Sequence, residues 1–166
     1  AEEAINAGAK IINDISGLSN DKNMVNIISN YKVPVVIMHM QGNPENMQNN
    51  PHYNDLIDDI NSFFKDRINL ARKFGIEKEQ IILDPGIGFG KKFVDNFKLI
   101  NHLEKFCELG LPILIGPSRK SFIGTALNET PEFRLEGTSA AVAAGILRGA
   151  RIVRVHDVYQ MKKVAI

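Results

Sequence analysis

Residues Ile113–Gly124 read ILIGPSRKSFIG: an apolar run, then glycine, proline, two adjacent cations and two serines. A short run of aliphatic and β-branched residues predicts a buried strand, and Gly116–Pro117 ends it, so Ser118–Ser121 leave the strand at its C-terminal end. Lys120 beside Arg119, with Ser121 next to the backbone N–H groups of the following turn, makes an electropositive cradle for an anionic or carbonyl-bearing ligand. Taken alone, the same loop reads equally well as a solvated surface turn. Four further stretches decide the matter, because each is an apolar run ending in polar residues of distinct chemistry: Ile11–Asp14 (IIND), Val35–Met40 (VVIMHM), Ile81–Gly86 (IILDPG) and Ile152–Asp157 (IVRVHD). Helical patterns separate the five runs, and a repeating strand-then-helix unit predicts a parallel sheet. Ligands of such sheets sit at the carboxyl ends of the strands, so Asn13, Met38, His39, Asp84, Lys120, Arg154 and His156 are expected to converge on one pocket.

The 166 residues have the length of one domain, and 44% of them are hydrophobic, enough for a sizeable core. Twenty Lys+Arg against 19 Asp+Glu leave a net charge of +1. The cations are scattered, Lys162–Lys163 being the nearest thing to a basic run, so neither nucleic acid nor a membrane surface is an expected partner. No apolar stretch approaches the roughly 20 residues of a transmembrane helix, and no signal peptide opens the chain; the expected location is cytoplasmic. The single Cys107 falls on the apolar stripe Leu99, Ile100, Leu103, Phe106, where a reduced cysteine packs as a small hydrophobe rather than acting as a nucleophile.

Along the chain, Ala1–Ala9 reads as the last turns of a helix closed by Gly8, starting in mid-unit. Lys10–Ile15 is the first strand, and Asp14 at its end is expected to order the following loop; a helix then runs to about Tyr31. Val33–Met38 is the second strand, followed by a long polar loop of the kind that lies near function. Met38 suits either an apolar wall for a flat ligand or core packing, and His39 has no second His or Cys at metal-binding spacing. Tyr53–Phe74 keeps helical spacing up to Gly75. After the strand Gln80–Leu83 comes Asp84-Pro85-Gly86-Ile87-Gly88-Phe89-Gly90-Lys91, whose alternate glycines are expected to admit a ligand close to the backbone. Their spacing departs from the dinucleotide fingerprint, and no acidic strand end follows about 20 positions on, so a dinucleotide site is excluded. Asp84 is better suited to gripping the N–H donors of a heterocycle, with Phe89 as a stacking or packing aromatic. Phe93–Leu109 is the next expected helix. Thr130-Pro131-Glu132 then opens an Ala- and Gly-rich helix to Arg148, smooth enough to lie against a sheet or a second subunit. Arg154 and His156 alternate at the end of the last strand, and Asp157 is expected to cap a final helix.

Taken together, IINDISG, VVIMHMQGNP, IILDPGIGFGK, ILIGPSRKSFIG and IVRVHDV resemble dihydropteroate synthase, in the order that family keeps them and over nearly all 166 residues. The resemblance implies an α/β fold, a TIM (β/α)8 barrel of which these residues form roughly units four to eight. Residues 1–166 would then be one pterin-binding barrel domain lacking its N-terminal part, and five units cannot close a barrel of about 250 residues. The family's opening strands and loops have no counterpart here. Pro117 stands where other small residues are common in the family.

The implied reaction joins 7,8-dihydropterin pyrophosphate to p-aminobenzoate, giving 7,8-dihydropteroate and pyrophosphate. By the same resemblance Asn13 and Asp84 contact the pterin edge, Lys120 its carbonyl, and Met38, Phe89 and Gly116 its faces. Arg154 packs over the ring and, with His156, holds the leaving pyrophosphate, while Ser121 meets the aminobenzoate carboxylate near a helix N-terminus. Magnesium is the implied cofactor, with its main protein ligand outside residues 1–166, so none of these residues is assigned as a metal ligand and these residues alone are expected not to turn over. The intact protein is expected to be a homodimer through the Ala- and Gly-rich helix. Two rivals stand beside this reading, a pterin-binding methyltransferase domain and a non-catalytic pterin-binding paralogue. Ser118-Arg119-Lys120-Ser121 and Arg154-Val155-His156 argue against the first, and pyrophosphate release separates the second.

Overall fold

The computed structural model describes all residues from 1 to 166. Five short strands, β1 (Ile12–Asp14), β2 (Val35–Met38), β3 (Ile81–Asp84), β4 (Ile113–Ile115) and β5 (Ala150–Val153), pair in chain order into one all-parallel sheet. Between them run α2 (Met24–Tyr31), α3 (Leu56–Lys73), α4 (Phe93–Asn101), α5 (Leu103–Cys107), α6 (Ser121–Leu127) and α7 (Leu135–Leu147), with α1 (Glu2–Asn6) before and α8 (Val158–Val164) after. The sheet is open, with β1 and β5 at its edges.

The strand residues divide by parity, as alternation across a strand requires. Val35, Ile37, Ile81, Leu83, Ile113 and Ile115 are fully buried beneath the helices, packed with Ile28, Ile60, Phe64, Leu99, Leu103 and Phe106. Phe64 and Phe106 meet edge-on at 5.7 Å between ring centroids, a geometry that adds to their burial. The opposite face carries a smaller apolar layer, Val36, Ile82 and Leu114 with Ile152. Asn13 pairs with Val36, and Val36 with Ile82, so Asn13 shares that face; two residues further along, Met38 pairs with Asp84. At the level of Val36 the inner face is thus apolar except for Asn13 on the edge strand, and it is polar at the strands' carboxyl ends.

Three helix expectations need correction. The stretch Phe93–Leu109 is two helices meeting at His102, an offset that keeps Leu99, Ile100, Leu103 and Phe106 all turned to the core. The helix expected from Pro131 begins with a separate 3₁₀ turn, Pro131–Phe133, and α7 starts at Leu135. Arg134 occupies the junction, where its side chain is drawn away to the carbonyls of Glu129 and Arg119. Asp157 precedes α8 without capping it, because its carboxylate is taken by Arg119. Cys107 is free and half-buried, its thiol directed at the carbonyls of Leu103 and Gly149; burial pushes its pKa up and keeps it protonated.

Candidate active site

The βα loops at the carboxyl ends of the strands carry the polar residues, and Asp84 is the best-buried of them at 3% exposure. Its Oδ1 accepts from the Gly86 N–H at 2.8 Å, while Oδ2 has no donor within the protein. Burial raises the Asp84 pKa, opposed by the Gly86 N–H and by the positive charges of Lys120, Arg154 and Lys91. One carboxylate therefore sits among three cations and keeps one oxygen for a ligand.

Lys120 is half-buried, its ammonium over the Phe89 ring at 4.0 Å from the centroid and bonded to the Ile87 carbonyl. Burial brings its pKa down to about 8, against the pull of Asp84. Arg154, exposed and just past β5, lays its guanidinium against Gly116, where an added Cβ would lie 3.4 Å from Nε. Asp84, Phe89, Gly116, Lys120 and Arg154 are thereby brought together, with Met38 beside Asp84 in the sheet. Asn13 lies exposed on the same face, one layer lower. His156 is exposed, and its ring is tied to Ser118. Ser121, the first residue of α6, is exposed and lines a separate polar cleft of about 380 Å³ with Gln48, Gly88, Lys91, Lys92 and Asn96.

The glycine run also brings the backbone close to other parts of the protein. Gly86, at φ 71°, would drive a Cβ into the His39 carbonyl, and Gly88, at φ 78°, lies under the Lys120 stem, where an added Cβ would come within 2.7 Å of Lys120 Cδ.

Two groups escaped the sequence. Lys91 is 4% exposed, and its ammonium meets His39 Nδ1 at 3.0 Å, the Phe89 carbonyl at 2.8 Å and the Gly86 carbonyl at 3.3 Å, so all three N–H donors have acceptors. Burial, then the charge of Lys91, pushes His39 down to about 3, so its imidazole is neutral and accepts at Nδ1. The only signal in the sequence was the position of Lys91 straight after the last glycine. The second is the loop pair Ser118–Arg119 and His156–Asp157, in which Arg119 makes a two-pronged ion pair to Asp157. Asp14 orders its loop as read, accepting from Ser16 N at 2.9 Å and Leu18 N at 2.7 Å. The long loop after β2 crosses the glycine run through Gln48 to the Gly88 carbonyl and Tyr53 to the Gly90 carbonyl.

No group of three or more His, Cys, Asp and Glu is placed to hold a metal ion. The mouth is cationic around its one carboxylate, so its residues do not fit magnesium, and no chemical step is assigned to that ion. No helix is long and apolar enough to cross a membrane.

An inner sheet face that carries polar groups at its carboxyl-end mouth and at Asn13, with a half-used carboxylate among cations, defines a ligand-binding βα-barrel site. The profile of the family described as pterin binding enzyme matches residues 1–156, and the chain belongs to that family. It is similar to the dihydropteroate synthase of Synechocystis sp., 46% identical over 165 residues covering 99% of this chain and 57% of that protein. It is also similar to that of Clostridium beijerinckii, 48% identical over 166 residues, 99% of this chain and 59% of the relative. Among solved structures, Yersinia pestis dihydropteroate synthase with a sulfonamide drug superposes with a TM-score of 0.96 at 41% identity, covering 99% of this chain and 60% of that one. The Xanthomonas albilineans enzyme in complex with 7,8-dihydropteroate gives 0.91 at 39% identity, with 99% and 60% covered. The chain spans somewhat over half the length of these relatives.

Proposed function

We propose that this chain provides the pterin-recognition and pyrophosphate-holding part of a dihydropteroate synthase. The observation that carries the reading is Asp84, buried on the inner face with Oδ2 free and flanked by Lys120 and Arg154. An acceptor-only carboxylate there suits the N–H donors of a pterin edge, and Asn13 on the same face, able to donate and accept, suits the rest of that edge. Lys120 supplies a cation for the pterin carbonyl, and Met38, Phe89 and Gly116 wall the ring. Arg154, lying over Gly116, reaches both the ring face and the pyrophosphate, which His156 also contacts. Ser121 offers its hydroxyl to the p-aminobenzoate carboxylate. The complex of the Xanthomonas albilineans enzyme with 7,8-dihydropteroate supports this choice of ligands.

In this reading the C–O bond to pyrophosphate breaks as the aniline nitrogen bonds to the methylene carbon and releases a proton. Arg154 and His156 stabilise the negative charge that grows on the departing oxygens, and the aniline is its own nucleophile, so no side chain acts as general base. Residues 1–166 act together as part of a single pterin-binding barrel domain, and a cytoplasmic setting accords with its unpaired Cys107. A second copy of the chain covers the apolar groove of about 600 Å³ lined by Phe97, Phe122, Leu127, Ala140, Ala144 and Leu147, in which no polar groups converge as they do at the mouth.

The deciding experiment mixes the full-length protein with 7,8-dihydropterin pyrophosphate and p-aminobenzoate and follows pyrophosphate. Release that requires both substrates is the expected result. Methyl transfer from methyl-tetrahydrofolate without pyrophosphate release would instead assign the methyltransferase branch.

A further inference from the structure

The loops after β4 and β5 are joined at two successive residue pairs. Ser118, 5% exposed, accepts from the His156 backbone N–H at 3.2 Å and lies 2.9 Å from His156 Nδ1. Arg119 then binds Asp157, with Nε 3.0 Å from Oδ2. Arg119 holds a left-handed conformation at φ 57°, which a non-glycine residue keeps only when its surroundings fix it. They do so here: its N–H donates to the buried Thr138 hydroxyl at 3.1 Å, and its carbonyl accepts from Arg134 Nη1 at 2.8 Å. The backbone thus held leads straight into Lys120.

A hydroxyl has one proton and two lone pairs. Ser118 Oγ already spends a lone pair on the His156 N–H, so its proton is free for Nδ1. A neutral imidazole that accepts at Nδ1 carries its own proton on Nε2, and that N–H has no acceptor within the protein. We propose that Ser118 is a positioning residue which, braced by the Arg119–Asp157 pair, fixes His156 in its Nε2–H tautomer and presents that donor to an oxyanion. The inference rests on the reading of His156 as a pyrophosphate contact, and adds a hydroxyl that touches no substrate yet decides which ring nitrogen can donate. Because the same clasp anchors Arg119, it also sets Lys120 and His156 relative to one another across the mouth.

The test uses protein labelled with ¹⁵N at histidine, at about pH 8 where imidazoles are mostly neutral. Long-range ¹H–¹⁵N spectra distinguish the two tautomers, His156 being assigned by its loss in His156→Gln. The expected wild-type spectrum shows His156 as the Nε2–H tautomer. Ser118→Ala should give a mixture and weaken binding of inorganic pyrophosphate about tenfold by calorimetry, the size expected for losing a hydrogen bond to a charge-binding group. Binding of p-aminobenzoate should be unchanged, which a general loosening of the fold would not allow. Asp157→Asn should keep the tautomer and still weaken pyrophosphate binding, about threefold, by freeing one loop from the other. An Nδ1–H tautomer in the wild-type protein overturns the proposal whether or not any variant folds, as does a Ser118→Ala protein with unaltered tautomer and affinity. A wild-type protein with the Nε2–H tautomer and no pyrophosphate affinity supports the positioning by Ser118 and refutes the anion-holding role of His156.

Discussion

Replacing Lys91 by Met tests the buried ammonium under the mouth, and its signature is a change in how stability depends on pH. Met has a similar length and shape, so the cavity stays filled while the titratable amine and its N–H donors are lost. Burial holds the Lys91 pKa down at about 7, against a value of 10.5 in the unfolded chain. Between those values the unfolded state binds the proton and the folded state does not, so unfolding takes up a proton and stability rises with pH. The contribution is complete above 10.5 and is lost as pH falls towards about 7. At about 1.4 kcal/mol for each pH unit between the folded and unfolded values, this comes to on the order of 5 kcal/mol over the whole window. Asp84 and Lys120 are present in both proteins, so subtracting the variant's curve from the wild type's largely isolates Lys91. Urea denaturation followed by circular dichroism at pH 7, 8 and 9 should show the wild type gaining on Lys91→Met by roughly 1 kcal/mol or more at each step. Curves that stay parallel would mean that Lys91 keeps its proton in the fold, and that its contacts to His39, Gly86 and Phe89 are those of a permanently charged ammonium.

Three further outcomes follow from the mouth and the groove. In the full-length enzyme Lys120→Ala should cost about 2–4 kcal/mol in kcat/KM for the condensation if the ammonium meets the pterin carbonyl in a water-poor site, and should leave the fold intact. Because Lys120 acts as a cation and has its pKa lowered to about 8, wild-type kcat/KM should fall as pH rises through that value, whereas a flat profile from pH 7 to 9 would count against the role. Asp84→Asn exchanges an acceptor for a group that also donates, so calorimetry should find pterin binding reduced far more than p-aminobenzoate binding; equal losses would contradict the assignment. Ala144→Arg places a charge in the apolar groove, while Ala143 lies outside it, so light scattering should report loss of the dimer for Ala144→Arg alone, and a wild-type monomer at micromolar concentration would remove the dimer from consideration.

The fold was legible because its determinants are local and repeated. Each of the five apolar runs reads as a strand, and the three inner ones, β2, β3 and β4, are buried on both faces while the edge strands β1 and β5 are partly exposed. Strand ends also named the mouth residues, since a polar side chain two positions beyond a buried inner-face residue has to emerge at the carboxyl end. Contacts between loops were beyond such reasoning. Asp157 before a helix has every local mark of a cap, and only the left-handed turn at Arg119, 38 residues earlier in the chain, makes it an ion-pair partner instead. Lys91 after a glycine run looks like a surface cation until the run folds back over His39 and buries it.

The glycine run shows how that folding and the chemistry are linked. Four strand ends must deliver side chains to one small mouth: Met38 from β2, Asp84 from β3, Lys120 from β4 and Arg154 from β5. Side chains on Gly86 and Gly88 would hold the Asp84 loop away from the His39 carbonyl and from the Lys120 stem. Their absence lets the loop lie between β2 and the Lys120 side chain. Asp84 then comes within reach of Lys91, Lys120 and Arg154, and its charge is balanced without an ion pair that uses both oxygens. Adding a single methyl at Gly86 would therefore act first on this mutual placement: strain from a left-handed alanine and the collision with His39 should together cost more than about 1 kcal/mol of stability. Ligand affinity should fall with it, because Oδ2 of Asp84 stays open to a ligand's donor only while the loop is drawn in.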